Sequence, residues 1–258
     1  MSQAGLRISC AMPPTALLRR PRTWFIAVPI IVLLAVVVGP WVYINFIRED
    51  APDRLTLDDR TTTTAATDAT GDTTGDTTAS TDAAAGGIEG DWVVGEGSTA
   101  GYRANEVLFG QDAEAAGRTS DVTGTLTIEG TTVTAAEVVV DMTTIASDEP
   151  NRDGQFRGRI MDTATFPTAT FTLTEPVDLG AVPADGEEIT VELTGELTLR
   201  GVTNVVTATL SAVLDGETFA VAGSIPISFD DYQIPDASGG PASVGRDGEV
   251  ELLLVFAR

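Results

Sequence analysis

Asp230, Asp231 and Tyr232 stand together in "FDDYQI" (229–234), the one polar and aromatic cluster of this 258-residue chain with the means for acid-base work. A carboxylate held in an apolar mouth has a raised pKa and can pass a proton, although a solvated turn accounts for the same three residues. Arg152 and Asp153, in "NRDGQFRGRIMDTATFP" (151–167), form a second polar pair. There a guanidinium can grip a phosphate or ring oxygen at a cavity mouth; the preferred reading is structural, the pair capping and pinning a helix. Arg157 and Arg159 would attract an anionic headgroup, but on an acidic surface pairing with nearby carboxylates is the plainer reading. Other chemistries lack their residues. Histidine is absent, all fifteen basic residues are arginine, and Cys10 is the single cysteine. Triad hydrolysis, His-ligated metals, lysine Schiff bases and internal disulfides are therefore poor starting points. No catalytic set, metal site or cofactor is expected.

The charge distribution narrows the partners. All thirty-eight carboxylates and eleven of the fifteen arginines follow residue 47, so that part carries a formal charge of −27. Nucleic acid is an unsuitable partner for such a surface. Anionic lipid headgroups would also be repelled, so lipid contact should come through an apolar cavity.

Residues 23–47, "TWFIAVPIIVLLAVVVGPWVYINFI", carry no charge, and at about 1.5 Å per residue they exceed the roughly 30 Å hydrocarbon core. Pro29 and Pro40 are tolerated in a membrane helix, and Trp24, Trp41 and Tyr43 sit near its ends as interfacial anchors do. Arg7, Arg19, Arg20 and Arg22 precede the span, which places the tail 1–22 in the cytoplasm and the remainder outside. A cleaved signal peptide is the competing reading, but its apolar region is shorter and ends in small residues, unlike "WVYINF". Cys10 precedes the apolar run, so it is not a lipoprotein cysteine. The expectation is a single-pass protein of the cytoplasmic membrane with an extracytoplasmic C-terminal domain.

Residues 48–87 are mostly threonine, aspartate, alanine and glycine, a composition that buries too little to fold. They read as a disordered linker with a reach on the order of 35 Å. From 88 to 258 the pattern is that of an all-β domain. Ile189, Val191, Leu193, Gly195, Leu197 and Leu199 alternate with polar residues, and similar alternation marks 122–128, 168–174 and 218–229. Further strands are expected at 92–94, 100–104, 132–142, 204–214 and 249–257. The turns between them, "EG" (129–130), "ADGEE" (184–188), "RG" (200–201) and "DG" (215–216), are short, which makes neighbouring strands antiparallel. Seven or eight strands, each apolar on one face, must close into a barrel or stack as a sandwich.

Residues 151–167 break this pattern. Phe156 and Ile160 are spaced by four and Asp153 suits an N-cap, so one short amphipathic helix or helical turn is expected, covering an open end or side of a barrel with Phe156, Ile160 and Met161 pointing at the interior. Phe166-Pro167 restarts extended chain.

Trp92, "DVTGTLTI" (121–128), "VVVDMTTIASDEPNRDGQF" (138–156), "FPTATFTLT" (166–174), "GELTLRGVTNVVTATL" (195–210), "AGSIPISFDDYQI" (222–234) and "VELLLVFA" (250–257) together resemble the YceI-like domain. The resemblance covers nearly all of 88–258. It implies an antiparallel lipocalin-like β-barrel of about eight strands with polyisoprenoid lipid in its cavity. Gly97 and Gln155 stand where many relatives carry histidine, and "FDDYQI" replaces an arginine-containing stretch. An eight-stranded barrel holds one slender ligand, each buried methylene contributing about 0.8 kcal/mol before association costs. The candidate lining is Phe109, Leu126, Ile128, Phe156, Ile160 and Phe166, with Phe171, Leu197, Leu199, Ile227, Phe229 and Tyr232; Arg152 and Asp153 are the polar candidates at the mouth. For each lining residue, ordinary core packing is the competing role. Three functions follow: binding or carriage of a long isoprenoid, of polyprenyl or quinone type; an isomerase or cyclase using Asp230 or Asp231; or an interaction or stress-response module with a filled core.

Overall fold

Threonine-rich alternation folds as the two-residue period requires, with one face of each strand dry. A computed structural model describes residues 51–60, 87–240 and 242–258, together with isolated positions 32, 38 and 42. The expected tail 1–22, the expected span 23–47 apart from those three positions, and residues 61–86 lie outside the described residues. Among the described residues no helix is long and apolar enough to cross a membrane. The chain divides into units 1–49 and 50–258, and the second is the one described here.

Its strands are β1 (Gly90–Val94), β2 (Thr99–Leu108), β3 (Gln111–Thr119), β4 (Val122–Glu129), β5 (Thr132–Asp141), β6 (Thr168–Leu173), β7 (Val177–Asp178), β8 (Glu188–Leu199), β9 (Val202–Asp215), β10 (Thr218–Ser228) and β11 (Ala242–Ala257). Eight of them, in the order β1-β4-β5-β6-β8-β9-β10-β11, form an antiparallel ring that closes where β1 meets β11 at Val93↔Ala257 and Val94↔Phe256. The β2–β3 hairpin continues from the same edge of β11, and β7 adds two residues beside β5. The architecture is thus the closed barrel and not the sandwich. Strand β3 went unread because "QDAEAAGRT" has only alanine, glycine and threonine at its buried positions, which leaves no bulky alternation to recognise.

One helical insert occurs where the pattern broke. Helix α1 (Pro150–Gln155) runs into a single π-turn (Phe156–Ile160). Phe156 and Met161 are buried beneath it and Ile160 packs against the same cluster. Asp153 is not the N-cap. Glu149 holds that position, accepting from the Asn151 amide at 3.2 Å, while Asp153 lies inside the helix and accepts from the Ser147 amide at 2.9 Å and its hydroxyl at 2.7 Å. Pro150 sits in the first turn, where its missing N–H costs nothing, and so sets the start earlier.

Residues 51–60 also depart from expectation. They belong to the stretch read as a disordered linker, yet they are ordered against the barrel, with Leu57 only 7% exposed. A composition averaged over forty residues hides one "LTL" that has a place to bury.

Interior packing demands gaps as well as bulk. A Cβ at Gly195 would lie 2.3 Å from the Phe171 ring and 2.6 Å from the Thr172 carbonyl oxygen, so glycine there lets the ring lie across β8. Gly195→Val is expected to lower stability by about 1–3 kcal/mol through overpacking, read as a lower urea midpoint at unchanged m-value.

Candidate functional site

The barrel encloses a cavity of about 130 Å³. Its wall is hydrocarbon from seven of the ring strands, all but β1, with Ala100 of β2, Val177 of β7 and Leu179 beside them, and Thr170 is the sole polar residue among the described residues lining it. The lining draws on two core clusters. At one end Trp92, Ile128, Phe219 and Phe256 pack together, the Trp92 indole donating to the Ile88 carbonyl at 2.9 Å. At the other, Phe156, Met161, Tyr232 and Ile234 pack beneath the helical insert and the 3₁₀ turn Asp230–Tyr232. That second end is the cap.

Of the candidate lining residues, Leu126, Phe171, Leu197 and Leu199 face the cavity. Ile128 is buried in the cluster at the Trp92 end, while Phe156, Ile160, Ile227, Phe229 and Tyr232 belong to the cap cluster. The remaining two stand apart. Phe166 is half-buried, with the Arg200 guanidinium 5.9 Å from its ring centroid. Phe109 lies in the β2–β3 turn at φ 52°, 47% exposed. Missing from the candidates were Val138 and Val140 of β5, Leu210 of β9, Val221 of β10 and Leu252 and Leu254 of β11. All six lie on strands already expected, at 132–142, 204–214, 218–229 and 249–257, where the two-residue period puts them on apolar faces.

Polar groups gather at the cap. Tyr102 of β2 stacks on Phe156, their ring centroids 4.9 Å apart and the planes 9° from parallel. Arg152 reaches Glu106 at 3.4 Å and pairs also with Asp148. This guanidinium pins α1 to strand β2, the structural role foreseen for it. Burial is the largest influence on the Tyr102 hydroxyl, and with the carboxylates of Asp153, Asp148 and Glu106 it outweighs Arg152, pushing the pKa up to about 12. Arg157 and Arg159 do not pair with carboxylates as foreseen. Arg157 donates to the Ile145 carbonyl at 3.2 Å, and Arg159 to Gln155 Oε1 at 3.2 Å and to the carbonyls of Asp236, Ala237 and Ser238.

The candidate acid-base cluster is divided. Tyr232 is buried in the cap, whereas Asp230 lies outside and pairs with Arg246, and Asp231 is exposed. Neither carboxylate lines the cavity. Among the described residues no group of His, Cys, Asp or Glu is arranged to hold a metal ion.

A family model described as the YceI-like domain matches residues 92–256. Protein YceI of Escherichia coli O157:H7 is 36% identical over 104 residues, 39% of this chain and 49% of that protein. A UPF0312 protein of Vibrio parahaemolyticus is 33% identical over 105 residues, covering 38% and 52% respectively. The chain thus spans about half the length of the curated relatives it matches. A polyisoprenoid binding domain from Saccharophagus degradans, implicated in plant cell wall breakdown, shares the fold with a TM-score of 0.53 at 21% identity, over 65% of this chain and 97% of that one.

Two outcomes are expected at the cap. Asp153→Ala leaves the Ser147 amide without its acceptor and the Ser147 hydroxyl with only the Glu149 carbonyl at 3.3 Å, and should cost about 1–3 kcal/mol in chemical denaturation. Because the folded Tyr102 pKa of about 12 lies above the ordinary tyrosine value of 10.0, its contribution is complete below pH 10 and is lost as pH rises toward 12. Denaturation midpoints should fall across that window, and Tyr102→Phe should flatten the fall.

Proposed function

The chain belongs to the YceI-like domain family, and from that premise we propose that its barrel binds a long isoprenoid lipid of polyprenyl or quinone type, outside the cytoplasmic membrane to which residues 23–47 anchor it. The observation that carries this reading is the cavity wall, hydrocarbon throughout except for Thr170. Such a wall offers an isoprenoid the transfer free energy of each buried methylene, about 0.8 kcal/mol, and offers a polar ligand nothing. The Saccharophagus degradans domain of the same fold, described as polyisoprenoid-binding, supports the ligand class.

A cavity of about 130 Å³ is close to the roughly 150 Å³ that holds one benzene-sized group, so a long chain must spread the wall or project through an end. The cap is the end built to move: one short helix and a π-turn, fastened by Arg152 and Asp153. Binding and carriage, not conversion, is the proposed role. With Asp230 and Asp231 outside the cavity, the isomerase or cyclase alternative lacks a carboxylate next to bound lipid.

Organic extracts of the full chain, purified from its native host, should contain an isoprenoid at about one per protein by mass spectrometry. Leu252→Trp, which fills the cavity from β11, should remove most of that lipid while leaving the denaturation transition cooperative. A protein that comes out empty and takes up no added polyprenyl lipid would rule the carrier out in favour of the filled-core module.

A further inference from the structure

The outer wall of β9, β10 and β11 breaks the alternation that governs the barrel. Val221, Leu252 and Leu254 line the cavity, so their neighbours Ala220, Ala222 and Leu253 face outward, as does Val213 beside them; yet all four are buried. A barrel exterior is normally polar. These four are covered by Leu57, with Leu55 packed at the margin, in a cluster separate from the interior.

Polar contacts extend this cover across five strands. Glu251, 2% exposed, receives Arg103 Nε at 2.6 Å and Arg118 Nη2 at 3.0 Å. The two arginines then donate onward to the covering segment, Arg103 to the Pro52 carbonyl at 2.6 Å and Arg118 to the Asp53 carbonyl. Arg54 pairs with Glu249 and lies 3.8 Å from Glu114, and Arg60 lies 3.6 Å from Asp215. Within the segment, Asp59 accepts from the Thr56 amide at 2.8 Å and hydroxyl at 3.0 Å, closing the turn at 57–60. The next described residue, Gly87, is fastened too, its carbonyl accepting from Arg258 at 2.8 Å. The segment precedes the family match, which begins at residue 92.

We propose that residues 51–60 are a clamp, a detachable piece of the barrel's outer wall that holds the chain's N-terminal part on the domain without covalent help. Residues 61–86, 26 in number, then connect two points of the chain that are both held on the domain. That connection can be cut or lengthened without releasing the domain. The clamp stands whether or not the cavity holds a lipid.

The test uses the detergent-solubilised full chain with an affinity tag at its N-terminus and a site-specific protease sequence inserted after Thr74. After cleavage, the barrel fragment should stay with the tagged fragment on the resin. Leu57→Asp should lower its retention by about ten-fold or more, the loss expected on removing one buried leucine. Arg54→Glu, which reverses the pairs to Glu249 and Glu114, should lower it as well. Both substitutions leave residues 87–258 unchanged, so the barrel itself stays intact. Release of the barrel from the parent chain upon cleavage overturns the clamp; so does retention that Leu57→Asp leaves unchanged, because the fragments would then be held elsewhere.

Discussion

Strand β11 is bonded along both edges, and the rest of the domain depends on that. One edge pairs with β10 from Ser228↔Asp247 to Thr218↔Ala257; the other pairs first with β2 and then with β1. With no disulfide to hold the ring, its closure rests on these backbone hydrogen bonds and on the interior they enclose. Closing the ring also removes the free edges that an open sheet of the same strands would present to other chains. The C-terminal residues, from Val250 to Phe256, therefore serve at once as seam and as cavity wall.

The same strand explains why one side of the barrel carries a second, outer core. Its "ELLL" run (251–254) is buried on both faces: Leu252 and Leu254 toward the cavity, Glu251 and Leu253 toward residues 51–60. A carboxylate as buried as Glu251 requires partners, since desolvating a lone charge costs several kcal/mol. Arg103 and Arg118 supply them from the neighbouring hairpin, and each guanidinium also donates to a carbonyl of the covering segment. Charge burial and chain docking are thus one arrangement.

The interior divides the work between wall and cap. Bulky aliphatic residues build a wall that recognises nothing but apolar surface, while polar groups are confined to one end, where Arg152, Glu106 and Asp148 tie the helical insert to β2. Selectivity in such a site comes from shape and from exclusion of polar ligands. An opening at the cap disturbs α1, the π-turn and the Tyr102–Phe156 stack, and leaves the hydrogen-bonded ring whole.

Much of this was legible in the sequence because a two-residue period is a local property. Ile189 to Leu199 specify a strand and its dry face, the short turns specify antiparallel neighbours, and the change of spacing at Phe156 and Ile160 announces the helical insert. Hydrophobic period alone does not say which strands share a wall, so Phe109 and Phe166 passed as cavity candidates on bulk alone, while Leu210 and Val221 went unnamed. The clamp at 51–60 rests on contacts between residues far apart along the chain, such as Arg54 with Glu249 and Arg103 with Pro52. What the sequence by itself determined is the alphabet of strands, their dry faces and the chemistry they exclude. Only the tertiary structure decided closure, the exact lining and the outer clamp, because each requires surfaces from distant segments to meet, and burial is defined by that meeting.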